Sequence, residues 1–234
     1  MRKTEQTDVY SMIEGVKERL LRLAPGEQKE LRRTGRDHPI LAETMIGWER
    51  LEQLEDAVRT VVREGIAGDV MECGVWRGGA CILMKKVLDE LQDKRKVWVC
   101  DSFEGVPAPT WKQDEKNNLW QYESLRVSEE EVRGNFEAYD ALDERVIFLH
   151  GWFKDTLPTF KGKISVLRLD GDLYESTWIA LENLYPKVSK GGYVIIDDYL
   201  ALDECNQAVR DFRNEQGITA QVNAIDWTGI WWRK

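Results

Sequence analysis

The spacing of apolar and polar positions divides the chain into a helical N-terminal part and a longer part in which strands alternate with helices. Apolar residues recur every three or four positions over residues 8–24 and again over residues 44–65, which predicts two helices. Residues 25–40, which lie between them, are polar and contain prolines and glycines. We expect this segment to form a mobile connection or flap.

Beyond residue 67, short runs rich in valine, isoleucine and leucine alternate with helical patterns. The predicted strands are residues 68–74, 96–103, 145–151, 164–172 and 191–199. The predicted helices are residues 78–94, 128–140, 176–188 and 201–217, and a terminal hairpin turns at Thr228 and Gly229. Strands of this composition between helices favour an α/β fold, a mostly parallel sheet with helices on both faces.

Two serines mark predicted helix starts. Ser128 is followed three residues later by Glu131, a pattern typical of a capping box in which the two side chains satisfy free backbone N–H groups. Ser176 stands directly before an apolar helical run, and we expect it to be the N-cap of that helix.

Length and composition indicate one large domain. The 234 residues, of which 42% are hydrophobic, are enough for a substantial core. We divide the chain into residues 1–43, an N-terminal helix and flap, and residues 44–234, the main domain.

The charge and the cysteines exclude several partners. A net charge of −9 argues against nucleic acid or an anionic membrane as a partner, because both bind basic surfaces. No apolar run reaches the length of a membrane span, and the first ten residues do not form a signal peptide. The four cysteines are scattered without a C-x-x-C motif, so we expect buried, reduced thiols in a cytoplasmic protein.

The ends of the first three strands carry residues suited to a nucleoside. Ligands of parallel sheets bind at the carboxyl ends of the strands. The first strand ends in "ECGVWRGG", a glycine-rich turn in which Trp76 leaves little room for a pyrophosphate and favours a ligand without phosphates. Asp101, at the second strand end, is placed to accept hydrogen bonds from ribose hydroxyls, and Trp152 and Phe153 follow the third. A ligand-free turn, a capping aspartate and ordinary core aromatics are the open alternatives.

Two acidic pairs follow the fourth and fifth strands. Asp170 and Asp172 end "LRLDGD", and Asp197 and Asp198 end "YVIIDD". Carboxylates at adjacent strand ends repel one another, and a hard divalent cation relieves that repulsion. An all-oxygen ligand set favours Mg²⁺, with Ca²⁺ or Mn²⁺ as substitutes, and leaves one acid free to act as a base. The alternative is a set of solvated turn aspartates.

These motifs together resemble the macrocin O-methyltransferase family. The resemblance runs from about residue 44 to the C-terminus and rests on "ECGVWRGG", "CDSFEG", "HGWFKDTLP", "LRLDGDLYEST", "LYPKVSKGGYVIIDDY" and "AVRDFR". Members of this family are S-adenosylmethionine-dependent enzymes that methylate sugar hydroxyls of macrolides and related antibiotics. The resemblance implies a Rossmann-like class I methyltransferase fold with Mg²⁺ as its metal.

The resemblance also implies roles for individual residues. Asp170, Asp197 and Asp198 would hold the metal, and Asp172 would be the general base, with Asp170 the second catalytic residue. The flap and the insert after the second strand, residues 106–127, would shape the acceptor site. The implied S-adenosylmethionine pocket comprises Thr44, Met45, Glu72, Cys73, Gly74, Val75, Trp76, Asp101, Ser102, Phe103, Gly151, Trp152, Phe153 and Asp170.

The predicted function is O-methylation of a sugar that carries a vicinal diol, on a small glycosylated acceptor. The alternatives are a Mg²⁺-dependent phenol or catechol O-methyltransferase and a non-catalytic ligand-binding protein of the same fold. Asp198 as an acidic third ligand, and the absence of a basic residue near Asp170, favour the sugar. A nicotinamide-dependent oxidoreductase is disfavoured, because G-x-G-x-x-G and Tyr-x-x-x-Lys are both missing. Family precedent favours a homo-oligomer.

Overall fold

The computed structural model describes residues 3–234, with only the helical backbone described for residues 3–11. The first helix, predicted over residues 8–24, starts and ends earlier, at Lys3 and Leu20. The helices are α1 (Lys3–Leu20), α2 (Lys29–Thr34), α3 (Trp48–Arg63), α4 (Gly79–Glu90), α5 (Glu129–Ala138), α6 (Phe153–Thr156), α7 (Tyr174–Leu184) and α8 (Asp203–Glu215). Short 3₁₀ turns lie at Lys112–Asp114, Leu119–Gln121, Glu123–Leu125, Leu157–Thr159 and Tyr185–Lys187.

The described residues form a seven-stranded sheet in the order β3-β2-β1-β4-β5-β7-β6. The strands are β1 (Asp69–Cys73), β2 (Val97–Asp101), β3 (Val146–His150), β4 (Ile164–Leu169), β5 (Val188–Ile196), β6 (Asn223–Ala224) and β7 (Ile230–Arg233). Strands β1 to β5 pair in parallel, whereas β7 runs antiparallel to both β5 and β6. The mostly parallel sheet and the terminal hairpin are both confirmed.

Helices cover both faces of the sheet, as its apolar strands require. Val70 and Val166 pack with α1, α3, α4 and α5 on one face, whereas Met71 and Leu167 pack with α7 and α8 on the other. All six residues of β4 are buried, because this central strand has a core on each side. The four cysteines are buried and free, as predicted.

Two helices differ in whether a neighbouring or a distant residue caps their first turn. The Ser128 hydroxyl accepts a hydrogen bond from the Glu131 N–H at 3.1 Å, so the predicted N-cap is confirmed. Ser176 as an N-cap is wrong, because α7 begins at Tyr174. A carboxylate from the insert, Asp114, takes the first free N–H groups of that helix.

Part of the segment predicted as a flap is helical. Helix α2 lies within it, and the buried Arg32 donates to the carbonyls of Met45 and Ile46 at 2.6 and 3.0 Å. These bonds attach the segment to the loop before α3. Over residues 3–234, no helix combines the length and the apolar character that crossing a membrane would need.

Candidate active site

The carboxyl ends of the strands open into one cavity of about 470 Å³. Two parts of its wall differ in chemistry. We call the residues after β1, β2 and β3 the donor half, and the aspartates after β4 and β5 the acid half. From the implied site residues, the cavity is lined by Met45, Gly74, Trp76, Asp101, Ser102, Trp152, Phe153, Asp170, Asp172, Asp197 and Asp198.

The glycine turn after β1 brings the two halves into contact. Gly74 has a φ of +84°, and a Cβ there would lie 1.8 Å from the carbonyl oxygen of Asp170. The tips of β1 and β4 therefore meet backbone to backbone, which a side chain would prevent. Trp76, at a φ of +46°, faces the cavity and donates from its indole N–H to the Ser124 carbonyl at 2.9 Å. The turn thus holds the insert as well.

Asp101 organises the donor half. Its carboxylate accepts the N–H of Val75 and the N–H of Phe103, each at 2.8 Å, and so joins the loops after β1 and β2. Burial raises the pKa of Asp101, and these backbone hydrogen bonds oppose the rise. A carboxylate oxygen has more than one lone pair, so Asp101 can still accept a hydrogen bond from a ligand.

Six of the implied donor-binding residues are not among the residues that line the cavity. They are Thr44, Glu72, Cys73, Val75, Phe103 and Gly151. Glu72 is 2% exposed, forms an ion pair with Arg168 and accepts a hydrogen bond from the Cys81 thiol at 2.8 Å. Burial raises the pKa of Glu72 to about 7, and Arg168 opposes that rise. The Glu72 carboxylate is therefore already paired within the protein, with Arg168 and Cys81.

Three aspartates converge in the acid half. One carboxylate oxygen from each of Asp170, Asp172 and Asp198 lies within 4.8 Å of the other two. Burial, and then the charge of Asp170, raises the pKa of Asp172 to about 7 and that of Asp198 well above its usual value. Without a positive partner, the three groups must share protons near neutral pH.

This cluster fits a hard divalent cation. Among the residues that the structure describes, none donates a hydrogen bond to Oδ2 of Asp198, although this atom is buried. A buried, unpartnered carboxylate oxygen costs free energy unless a cation or a donor meets it. Three oxygens from carboxylates are the ligand chemistry that Mg²⁺ prefers.

Asp197 lies apart from this cluster, in contrast to its predicted place in the metal set. Its Oδ2 pairs with Nη1 of Arg50 at 2.5 Å, and its Oδ1 pairs with Arg168. The two neighbouring aspartates therefore diverge, one toward arginines and one toward the cavity. The structure groups Asp172, in place of Asp197, with Asp170 and Asp198.

A basic residue does lie near Asp170, so the prediction that none does is wrong. Arg168 is two residues earlier on the same strand, is 2% exposed and reaches Oδ2 of Asp170 at 2.9 Å. Its side chain bridges Glu72, Asp170 and Asp197. A charged residue inside the apolar run "ISVLRL" was a usable signal, because an isolated buried charge is costly without partners.

The terminal hairpin forms part of the site, which the sequence did not indicate. Trp227 and Thr228 line the cavity, and the Thr228 hydroxyl donates to the Asp197 carbonyl at 2.8 Å. Asp226 accepts a hydrogen bond from Nε of Arg50 at 2.9 Å. Arg50 itself lines the cavity and joins the hairpin turn to Asp197.

The flap and the insert also contribute residues to the cavity wall. Asp37 and His38 come from the flap, and Val106, Leu119 and Leu125 come from the insert. Both segments therefore border the same cavity as the aspartates at the strand ends.

Comparisons with known proteins agree on one family. The sequence profile described as Macrocin-O-methyltransferase (TylF) matches residues 3–234. The demethyldecarbamoylnovobiocin O-methyltransferase of Streptomyces niveus is 51% identical over 214 residues, covering 88% of this chain and 81% of that protein. The 8-demethyl-8-(2,3-dimethoxy-alpha-L-rhamnosyl)-tetracenomycin-C 4'-O-methyltransferase of Streptomyces olivaceus is 52% identical over 205 residues, covering 85% of this chain and 78% of that protein.

A solved structure gives the same fold. The O-methyltransferase NovP superposes with a TM-score of 0.93 at 45% identity, covering 97% of this chain and 99% of that one. The Rossmann-like class I methyltransferase fold expected from the sequence is thereby confirmed.

Proposed function

The chain belongs to the macrocin O-methyltransferase family, and we propose that it transfers a methyl group from S-adenosylmethionine to a sugar hydroxyl of a glycosylated natural product. One observation carries the proposal: Asp170, Asp172 and Asp198 converge in the cavity that the donor half also lines. Methyl transfer needs donor, acceptor and base held together, and this arrangement supplies a place for each.

The donor half suits the nucleoside of S-adenosylmethionine. Asp101 would accept a hydrogen bond from a ribose hydroxyl, as acids at this strand end do. Trp152 and Phe153 would offer apolar surface to the adenine. Trp76 lines the cavity at the glycine turn, where it would leave little room for a pyrophosphate, and this fits a methyl donor without phosphates.

Asp172 would be the general base. It would take the proton of the acceptor hydroxyl as that oxygen forms a bond to the methyl carbon, while the carbon–sulfur bond of the methyl donor breaks and S-adenosylhomocysteine leaves. In the chain without a bound cation, burial and the charge of Asp170 raise the pKa of Asp172 to about 7, close to the working pH at which a base is most effective. Asp170 and Asp198 would hold Mg²⁺ at the position that Asp172 also faces. A bound Mg²⁺ would lower the pKa of the acceptor hydroxyl, which is otherwise far above 7.

Arg50 and Arg168 would keep Asp197 out of that cation position. Each carboxylate oxygen of Asp197 pairs with one of the two guanidinium groups. Their positive charge also offsets part of the repulsion between Asp197 and the other three aspartates of the acid half.

The acceptor would carry a second oxygen beside the hydroxyl that is methylated. Two neighbouring oxygens can share one cation, which fixes the geometry of attack. The name of the S. olivaceus relative gives methoxy groups at positions 2 and 3 of a rhamnosyl unit and methylation at position 4'. We therefore extend the predicted vicinal diol to a hydroxyl next to either a hydroxyl or a methoxy group.

A phenol or catechol acceptor is the second candidate. A catechol also presents two neighbouring oxygens, and Arg168 removes the argument that no basic residue stands near Asp170. The sugar is favoured because the S. olivaceus relative is named for a substrate with a rhamnosyl unit. A further relative, 44% identical over 215 residues, is the Mycinamicin III 3''-O-methyltransferase of Micromonospora griseorubida.

The test is product analysis by mass spectrometry with the wild-type enzyme, S-adenosylmethionine and Mg²⁺. The acceptors are rhamnosylated aromatic and macrolide aglycones, the same glycosides lacking the neighbouring oxygen, and simple catechols. The proposal expects a gain of one methyl group on the sugar of the first set, with loss of activity in EDTA. Methylation of catechols alone would support the second candidate and contradict the sugar.

A further inference from the structure

Helix α7 begins directly after Asp172, and its first turn is capped by a residue from the insert. The N–H of Tyr174 donates to Oδ1 of Asp114 at 2.7 Å, and the N–H of Glu175 donates to Oδ2 at 3.0 Å. These are the N–H groups that a helix leaves without a partner. Leu173, at the N-cap position, has an apolar side chain that cannot accept them. The cap therefore comes from 60 residues earlier in the chain.

Asp114 is built into this position. Asp114 is 0% exposed, although its neighbours in the insert, Lys112, Gln113 and Glu115, are exposed. A buried carboxylate is costly unless hydrogen bonds meet both oxygens, and the start of α7 supplies one for each. A second contact joins the same two elements, because the Thr110 hydroxyl donates to the carboxylate of Glu175.

The capped turn also holds the backbone of Asp172. Asp172 has a φ of +56°, a left-handed conformation that a residue other than glycine adopts only where its surroundings impose it. The Leu173 N–H bonds back to the Gly171 carbonyl at 2.5 Å, so Asp172 lies inside a tight turn. Leu173 alone separates Asp172 from Tyr174, the first residue that Asp114 holds.

We infer that Asp114 is a positioning residue, which fixes Asp172 for proton transfer by capping α7 from the acceptor insert. The inference rests on the proposed role of Asp172 in the reaction. Its consequence is that the segment that covers the acceptor also sets the base. Folding of the insert onto α7 and correct placement of Asp172 are then a single event.

Two other roles for Asp114 make different predictions. A carboxylate that only stabilises α7 would affect the melting temperature and leave the turnover of the folded enzyme unchanged. A carboxylate that only anchors the insert would raise the acceptor KM, and any other anchor of the insert would do the same when removed.

Four variants separate these roles. Asp114→Ala removes both acceptors, and Asp114→Asn keeps one. Glu115→Ala removes the adjacent exposed carboxylate, and Thr110→Val removes the other insert contact while leaving the cap intact. Each is assayed for kcat, for both KM values and for S-adenosylhomocysteine affinity by calorimetry. Each is also titrated with Mn²⁺ alone, because Asp172 faces the cation position.

Asp114→Ala is expected to lower kcat by roughly 10- to 100-fold and to weaken Mn²⁺ binding about tenfold, the range for residues that orient ligands from behind. S-adenosylhomocysteine affinity should stay within about twofold of wild type, since the donor half is untouched. Asp114→Asn should lie between, and Glu115→Ala should stay within about threefold of wild type. Thr110→Val, whose residue lines the cavity, should lose less kcat and less Mn²⁺ affinity than Asp114→Ala.

Wild-type kcat and Mn²⁺ affinity in Asp114→Ala, with only a lower melting temperature, would overturn the inference. Equal losses in Thr110→Val and Asp114→Ala would overturn it too, and would assign the effect to the insert. If the wild type methylates no glycoside, the proposed function fails by itself. The Mn²⁺ comparison between Asp114→Ala and Glu115→Ala still decides the positioning role in that case.

Discussion

The donor half and the acid half treat their carboxylates in opposite ways. In the donor half, both oxygens of Asp101 accept backbone N–H groups, so the site is organised by the chain itself. In the acid half, Asp170, Asp172 and Asp198 face one another. Among the described residues, none forms a hydrogen bond with the buried Oδ2 of Asp198. The difference teaches that the carboxylate of one half is satisfied by the fold itself, whereas the proposed cation would be needed to satisfy those of the other.

The largest expected effect comes from a substitution that changes the acid half alone. Asp172→Asn removes the base but keeps the shape of the side chain, so turnover should fall by roughly 10²-fold or more. S-adenosylhomocysteine affinity, measured by calorimetry, should stay near wild type because Asp101 and the residues around it are unchanged. Full turnover in this variant would rule out the base role.

The next largest effect comes from a substitution that disrupts the contact between the two halves. Gly74→Ala places a Cβ where the Asp170 carbonyl oxygen lies, so we expect it to cost about 3 kcal/mol in free energy of unfolding. Gly217→Ala is the matched control, since Gly217 also has a positive φ but no atom within 4 Å of the added Cβ. That control should cost about 1 kcal/mol. Equal losses in urea denaturation would show that backbone strain alone, and not the close approach, matters at Gly74.

A smaller effect is expected from a substitution that changes the donor half alone. In Asp101→Asn, one side-chain oxygen is replaced by an NH₂ group that cannot accept a backbone N–H. We expect S-adenosylhomocysteine to bind about tenfold more weakly, equivalent to about 1.4 kcal/mol. Mn²⁺ affinity should be unchanged. A loss of cation binding in this variant would contradict the independence of the two halves.

The smallest effect is a pH dependence that belongs to the acid half. The pKa of Asp172 is about 7 in the folded chain and near 4 when unfolded, so the folded chain binds more protons between these values. Stability from this residue is therefore present below about pH 4 and is lost as the pH rises toward 7. The full shift corresponds to about 2 kcal/mol between pH 5 and 7, and we expect roughly half of it because Asp172 is partly exposed and water screens its charge. In EDTA, the melting temperature of Asp172→Asn relative to wild type should therefore rise by about 2–4 °C from pH 5 to 7.

Parallel melting curves for the two proteins across that range would show that Asp172 does not carry the raised pKa. Saturating Mg²⁺ should remove the difference in slope, because a cation replaces the protons that the cluster shares without it.

Local patterns in the sequence were sufficient for most of the fold. Alternating apolar runs predicted β1 to β5, and Ser128 capped its helix because cap and helix are neighbours in the chain. Ser176 failed because the cap of α7 is Asp114, and no local pattern reveals a partner 60 residues away.

The site was predictable in its parts and not in its pairing. The sequence placed Asp170, Asp172, Asp197 and Asp198 at adjacent strand ends, and the structure brings three of them together. It could not show that Arg50, on a helix far earlier in the chain, takes one oxygen of Asp197. Strand order decides which strand ends adjoin, but long side chains from other elements decide where each carboxylate points.

The most direct test of the central claim is calorimetric titration of Mg²⁺ into the EDTA-stripped protein and into Asp198→Asn, with Asp101→Asn as the control from the donor half. We predict one Mg²⁺ per wild-type chain, bound with release of protons because the carboxylates must deprotonate, and the same affinity in Asp101→Asn. Asp198→Asn should bind at least tenfold more weakly. Equal affinity in all three proteins, or no binding to the wild type, would contradict the claim that the acid half is a cation site.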